Sequence, residues 1–239
     1  MSISTAHNSN SQSKTYAVIV AGGTGTRMQS VVPKQFLLLN NRPVLMHTIE
    51  AFSNGQTAPQ IIVVLHADYH EMWRELCLVH NFTIPHLLIN GGETRFHSVK
   101  NAIDQISEKN VLIAVHDAVR PLISEKVIQE AYQSALDNGT AVTAVKSRDS
   151  VRQLKEGTTT ALNRDEVYLI QTPQTFRSAL IKKAYEQPYT ALFTDDASVV
   201  ESSGIKINLI EGSHSNIKIT FPEDIAIAET LIKQKSHQL

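Results

Sequence analysis

The chain has 239 residues, 42% apolar and 19% charged, which is ordinary globular usage and excludes a disordered or fibrous chain. Its 22 Lys and Arg against 23 Asp and Glu leave a net charge of -1, so neither a bulk nucleic-acid binder nor a membrane-surface binder is expected, and any cationic site must be local. Cys77 is the single cysteine and permits no intramolecular disulfide. The longest aliphatic runs, Ile61 to Leu65 and Val111 to Val115, fall far short of the roughly 20 residues that span a bilayer, so a cytoplasmic protein is expected.

Residues 1–13 are rich in Ser, Asn and Gln, without the basic start or apolar stretch of a secretory signal, and predict a disordered tail ahead of a single domain over 14–239. Strands are predicted at Tyr16 to Ala21, Ile61 to Leu65, His86 to Ile89, Val111 to His116, Thr140 to Val145 and Ile205 to Ile210. Between them, Leu45, Ile49 and Phe52 recur at helical spacing, and Phe96, Val99, Ile103 and Ile106 line a second helix. A third helix begins near Glu125 on the stripe Val127, Ile128, Ala131 and Ala135, and stops at Asn138-Gly139. A fourth uses Ile225, Ala228 and Ile232 after Pro222, a residue suited to a first helical turn. Strands alternating with helices predict an α/β fold with a Rossmann-like, mostly parallel sheet flanked by helices.

One stretch breaks that rhythm. From about 142 to 162, short alternating segments flank Lys155-Glu156-Gly157 with few core residues, which predicts a protruding β-hairpin arm. A two-stranded ribbon is marginal alone, so the arm should dock on a partner subunit or fold back on its own domain.

The first strand runs into Ala21-Gly22-Gly23-Thr24-Gly25-Thr26-Arg27-Met28, followed by Pro33-Lys34-Gln35-Phe36. Glycines let the backbone turn tightly and offer N–H groups to phosphate oxygens. The segment lacks the Gly-Lys-Ser/Thr close of a Walker loop, and Met28 stands where a dinucleotide fingerprint needs its third glycine. Its distinguishing feature is the pair Arg27 and Lys34: two cations converging on a triphosphate would neutralise charge growing on the attacked phosphorus and on departing pyrophosphate. Without a ligand the same residues describe a Gly-rich turn with two solvated cations.

Further along, Gly91-Gly92 precedes a helix, so backbone amides can face a base or phosphate, with the Ser98 hydroxyl nearby. Asp117 follows a predicted strand, where ligands of open α/β sheets bind, and could hold Mg²⁺ bridging phosphate oxygens, orient a hydroxylated substrate, or cap a helix. Arg120, three residues on, is placed to fork onto a phosphate or to pair with Asp117. His66 and His70 invite a metal reading, but they bracket a strand-to-helix turn and no third ligand has suitable spacing. His116 is expected to pack or hydrogen-bond beneath Asp117, and Cys77 to be buried along Met72, Leu76 and Val79.

In these blocks the chain resembles the cytidylyltransferases that make 4-diphosphocytidyl-2-C-methyl-D-erythritol in non-mevalonate isoprenoid synthesis. The likeness runs from Tyr16 onward, through the Ala-Gly-Gly loop with Arg27, Pro33-Lys34-Gln35, Gly91-Gly92-Glu93-Thr94-Arg95 with Ser98, and His116-Asp117-Ala118-Val119-Arg120-Pro121. It continues with Gln171-Thr172-Pro173-Gln174, Thr194-Asp195-Asp196-Ala197-Ser198 and Asn216-Ile217-Lys218. The resemblance implies a nucleotidyltransferase fold, CTP and methylerythritol phosphate as substrates, Mg²⁺ on Asp117, and a homodimer through the arm. It implies Arg27 and Lys34 as catalytic residues, and a nucleotide subsite of Ala21, Gly22, Gly23, Gly25, Gly92, Glu93, Ser98, Asp117 and Lys218. Many relatives carry Asp where this chain has Glu93, one methylene longer. For the acceptor it implies Asp117, Arg120, Thr172, Thr194 and Lys218, with Ser150 and Arg164 reaching the sugar phosphate of the neighbouring subunit. Taken alone, Thr194 reads equally as a helix N-cap and Lys218 as a solvated strand-end charge.

The ribitol 5-phosphate cytidylyltransferases share several of these blocks, although the Thr194 to Ser198 motif looks more like the methylerythritol branch. More distant alternatives are a sugar-1-phosphate nucleotidyltransferase, an NAD-dependent dehydrogenase, and a catalytically silent nucleotide-sensing subunit. A sensor has no need of the apparatus for a leaving pyrophosphate that Arg27, Lys34 and Asp117 together suggest.

Overall fold

A computed structural model describes residues 13–21 and 32–236. The tail expected over 1–13, Ser13 excepted, lies outside the described residues, as do Gly22, Gly23, Gly25, Arg27 and Met28.

Strand β1 (Thr15–Ala21) is the apolar run expected at the start of the sheet, and every residue from Tyr16 to Ala21 is buried. After a 3-10 turn over Lys34–Phe36 comes a short hairpin of β2 (Leu38–Leu39) and β3 (Arg42–Pro43), then helix α1 (Val44–Ser53) and β4 (Gln60–Leu65). Helix α2 (His70–Val79), β5 (Leu87–Asn90), α3 (Arg95–Ile103) and β6 (Leu112–Asp117) follow. Helix α4 (Glu125–Asn138) starts at Ser124, whose hydroxyl accepts the Val127 N–H, and ends at Gly139, where φ of 88° suits a residue without Cβ. Then come β7 (Thr140–Lys146), β8 (Arg152–Lys155), β9 (Thr158–Ala161), β10 (Tyr168–Arg177), α5 (Ser178–Ala184), α6 (Asp196–Glu201), β11 (Leu209–Glu211) and α7 (Glu223–Ser236).

Among the described residues, seven strands form one sheet in the order β11-β7-β10-β6-β1-β4-β5. All neighbours are parallel except β10, which runs antiparallel to both β6 and β7. The chain moves outward from β1 through β4 to β5, then returns to place β6 on the other side of β1. That reversal leaves a crevice beyond the carboxyl ends of β1 and β6, the place where open α/β sheets bind ligands. One face of the sheet is covered by α1, α2 and α4 through Ile49, Phe52, Trp73 and Tyr132, the other by α3, α5 and α6 through Phe96, Ile103, Tyr185 and Val200. A third cluster seats α7 by Ala228 against Leu39, Val44, Leu122 and Ile219.

Three expectations need revision. The longest strand of the sheet, β10, is absent from the predicted set because Pro173 cannot donate to a ladder and Thr, Gln and Pro mask the apolar alternation. The pairing with β7 shifts register between Ile170 and Gln174, and that irregularity takes the proline out of the ladder. The arm is shorter than 142–162: Thr140 to Val145 are buried in β7, and only β8 and β9, joined at Glu156 and Gly157 with φ of 51° and 79°, stand free with every strand residue exposed. The inward face of helix α2 is only partly the expected one: Leu76 and Cys77 pack against the core and Trp73 is buried with them, while Met72 and Val79 are 40% and 73% exposed. Cys77 is half-buried beside that face, and burial pushes its thiol up to about 11.

Candidate active site

The crevice is organised around Asp117, the last residue of β6. Backbone bonds from Ala118 N–H to the Val20 carbonyl and from Arg120 N–H to the Asp117 carbonyl turn the chain sharply, so Arg120 folds back onto the carboxylate. Ile219 N–H donates to the Val119 carbonyl and brings Lys218 alongside. Lys218 Nζ then lies 2.9 Å and Arg120 Nε 3.3 Å from Asp117 Oδ2, while Arg95 Nε lies 3.8 Å from Oδ1. Burial alone would raise the Asp117 carboxyl, but Arg95, Lys218 and Arg120 outweigh it and hold it well below the usual carboxylate range.

Asp117, Arg120 and Lys218 are the expected members of this cluster, and Arg95 is an unexpected site residue. Its guanidinium makes a bidentate pair with Asp196, Nη1 to Oδ1 at 2.9 Å and Nη2 to Oδ2 at 2.6 Å. The partner lies 101 residues away, a separation no local pattern reveals. Of the two descriptions expected of Arg120, the structure shows the pair with Asp117. Nε pairs with Asp117 and Nη1 donates to the Asn216 carbonyl at 2.8 Å, so among the described residues Nη2 is the nitrogen left for an anion.

Beneath Asp117 lies a buried network. The Asp117 N–H donates to Thr172 Oγ1 at 3.0 Å, Thr172 Oγ1 lies 3.1 Å from His116 Nδ1, and His116 Nε2 lies 3.1 Å from the Arg120 carbonyl. Burial pulls the His116 imidazole down to about 4, so the ring is neutral near pH 7. A carbonyl can only accept, so Nε2 carries the hydrogen and Nδ1 accepts from the Thr172 hydroxyl. The Thr172 proton is therefore directed inward, and toward a ligand the hydroxyl offers a lone pair. Asn216 fixes the same region, donating to the Thr172 carbonyl at 2.9 Å.

In the loop before α3, Gly91 N–H donates to the Leu65 carbonyl, and Gly92 N–H donates to Ser98 Oγ at 3.0 Å. Ser98 is fully buried, so this bond is shielded from water. A Cβ on Gly92 would lie 2.4 Å from His97 Cβ, so the close approach of loop and helix α3 requires glycine. Glu93 is exposed in this loop, and Thr94 caps α3 by accepting the His97 N–H. Gln35 donates to the carbonyl of Ala21 at 3.4 Å, which ties the Pro33-Lys34-Gln35 segment to the end of β1.

Thr194 is exposed and does not cap α6; Asp195 does, through a capping box with Ser198. Ser150 and Arg164 are exposed at the base of the arm, outside the network around Asp117, with Arg164 Nη1 donating to the Arg148 carbonyl at 3.4 Å.

A mixed α/β sheet with its crevice at the switch point, a glycine-bearing approach and a cation-ringed carboxylate is the frame of an enzyme that handles phosphorylated substrates, here a nucleotidyltransferase. Solved structures share the fold: the 4-diphosphocytidyl-2C-methyl-D-erythritol synthase of Anaerococcus prevotii superposes with a TM-score of 0.79 at 29% identity, over 92% of this chain and 96% of that one. The 2-C-methyl-D-erythritol 4-phosphate cytidylyltransferase of Francisella tularensis superposes with a TM-score of 0.76 at 32% identity, over 90% and 98%. Proteins of that name from Bacteroides fragilis and Azobacteroides pseudotrichonymphae are 46% and 49% identical, covering 90% and 91% of this chain and 98% of each relative. The family model for 2-C-methyl-D-erythritol 4-phosphate cytidylyltransferase matches residues 15–234, and the chain belongs to that family.

Proposed function

We propose that the chain transfers CMP from CTP to 2-C-methyl-D-erythritol 4-phosphate, giving 4-diphosphocytidyl-2-C-methyl-D-erythritol and pyrophosphate, as its family membership implies. The observation that carries the site assignment is the convergence of Arg95, Arg120 and Lys218 on Asp117 at the switch point, which supplies positive potential to two phosphorylated substrates.

An acceptor phosphate oxygen attacks the α-phosphorus in line. A new P–O bond forms to the acceptor, the α–β bridging bond breaks, and its electron pair leaves with pyrophosphate. A phosphate monoester is substantially anionic near neutral pH, so positioning and charge stabilisation carry the reaction without a strong general base. Arg27 and Lys34 stabilise the charge that develops on the attacked and departing phosphates. Ala21, Gly22, Gly23 and Gly25 cradle the triphosphate, Gly92, Glu93 and Ser98 hold the nucleoside, and Arg120 Nη2, Thr194 and Lys218 orient the acceptor, with Thr172 beneath Asp117.

The donor set at Asp117 fits Mg²⁺ that arrives with phosphate oxygens. Among the described residues no group of three or more His, Cys, Asp or Glu side chains converges, and Mg²⁺ commonly takes one or two carboxylates with phosphates and water. Asp117 Oδ1, which Lys218 and Arg120 do not contact and from which Arg95 Nε stands 3.8 Å away, would hold it, and the ion would neutralise phosphate charge.

The arm supports a homodimer whose site is completed in trans. Hairpin β8–β9 is wholly exposed, and Leu154 is an apolar residue that stays 69% exposed among the described residues. Ser150 and Arg164 at its base would then reach the neighbouring sugar phosphate. No helix among the described residues is long and apolar enough to cross a membrane, in keeping with a cytoplasmic enzyme.

Mass-resolved product formation from CTP, Mg²⁺ and methylerythritol phosphate tests the reading: one diphosphocytidyl product per pyrophosphate is expected. Equilibrium CTP binding without turnover would instead identify a nucleotide sensor.

A further inference from the structure

The nucleotide-side loop before α3 and the acceptor-side loop before α6 are tied together by a buried pair. Arg95 opens α3 directly after the Gly91 to Thr94 loop, and Asp196 opens α6 two residues after Thr194. Both Asp196 oxygens are engaged by Arg95, and Oδ1 also accepts from the Tyr185 hydroxyl at 2.6 Å. The Asp196 side chain is completely buried, whereas Arg95 stays partly exposed and turns Nε toward Asp117. Gln174 of β10 removes the remaining freedom of the α6 loop: its amide donates to Asp195 Oδ2 at 2.9 Å and its carbonyl accepts the Ala197 N–H at 2.7 Å. Tyr185 is held in turn by stacking on Phe96 of α3 at 4.7 Å between ring centroids. Displacing either loop would therefore break a bidentate ion pair from which water is excluded on the Asp196 side, so the loops can shift only together.

We propose that Asp196 and Tyr185 are positioning residues that act through Arg95 and couple the nucleotide subsite to the acceptor subsite. This rests on the cytidylyltransferase reading above. CTP settling against Gly92 and Ser98 fixes the Gly91 to Arg95 segment, and the Arg95 to Asp196 pair passes that order to Thr194. By reciprocity the acceptor tightens CTP binding by the same factor.

The test is calorimetric binding of an α,β-methylene CTP analogue, with Mg²⁺, in the presence and absence of methylerythritol phosphate. Wild type should bind the analogue about tenfold more tightly when the acceptor is present, within the usual range for coupled sites. Tyr185→Phe, which removes one hydroxyl from Asp196, should reduce that factor to about threefold, and Asp196→Asn should bring it near unity. A role confined to stability would lower the melting temperature of both variants and leave the ratio unchanged. That result overturns the proposal, and so does a wild type without coupling. If Asp196→Asn fails to fold, Tyr185→Phe alone decides: an unaltered ratio refutes the coupling. Product formation by wild type is followed in parallel, so its absence identifies failure of the cytidylyltransferase reading itself, and the coupling falls with it.

Discussion

Replacing Thr172 with valine removes one hydroxyl from a site that is only 4% exposed and leaves shape and volume almost unchanged. The loss is of hydrogen bonds alone: the Asp117 N–H at 3.0 Å and His116 Nδ1 at 3.1 Å are both left without that partner. A buried polar group stripped of its partner costs about 1–3 kcal/mol, so two of them place the destabilisation at about 2–6 kcal/mol. With a urea slope of about 2–3 kcal/mol/M for a chain of this size, the unfolding midpoint should fall by about 1 M or more. Thr172→Ser, which keeps the hydroxyl, should stay close to wild type. Urea unfolding followed by circular dichroism, with turnover measured on the same preparations, makes the comparison. The valine variant should also lose activity while folded, because the peptide that carries Asp117 is no longer anchored. A valine variant with the wild-type midpoint would show that the hydroxyl does not bridge Asp117 and His116, and the account of the buried network would fail.

Other outcomes follow from the same geometry. Gly92→Ala places a Cβ 2.4 Å from His97 Cβ and 2.9 Å from the His97 carbonyl carbon, so the loop must move; kcat/KM for CTP should fall by about tenfold or more, and the urea midpoint should fall with it. Lys34→Ala should lower kcat far more than it raises KM, and an effect confined to KM would mean that Lys34 binds ground and transition states alike. With its thiol pushed up to about 11, Cys77 should react with iodoacetamide at pH 8 about a hundredfold more slowly than an ordinary cysteine, the rate rising about tenfold per pH unit until the thiol ionises. Rapid alkylation at pH 8 would contradict the burial of its sulfur. Mixing Arg27→Ala with Arg164→Ala protein should restore about a quarter of wild-type activity, since half the dimers are mixed and each holds one intact site. No recovery after verified exchange would place Arg164 outside a shared site.

Much of this architecture is legible in the sequence because local rules carry it. The β-branched run of β1 and the stripe of α4 with Ser124 and Gly139 at its ends declare themselves within a few residues. Asp117, Arg120 and Lys218 are readable as chemistry at a strand end, and the crevice gathers them. What sequence conceals is set by long-range pairing. Strand β10 is disguised by Pro173, whose missing donor is tolerated only because the register shifts beside it. Arg95 looks like an ordinary helix-start cation until Asp196 arrives from 101 residues away. Thr172 looks like a hydroxyl offered to substrate, and only the neutral tautomer of His116 shows where its proton goes. Val79 illustrates the converse, since its apolar character suggests burial although it is 73% exposed.

The claim at the centre of this account is that the site transfers CMP to a branched polyol phosphate. The direct measurement offers methylerythritol 4-phosphate and ribitol 5-phosphate together in one reaction with CTP and Mg²⁺, and resolves the two diphosphocytidyl products by mass over time. The account predicts a product ratio strongly favouring the methylerythritol compound, with pyrophosphate matching the sum of the two. A ratio favouring the ribitol compound, or pyrophosphate release with neither product, would contradict it.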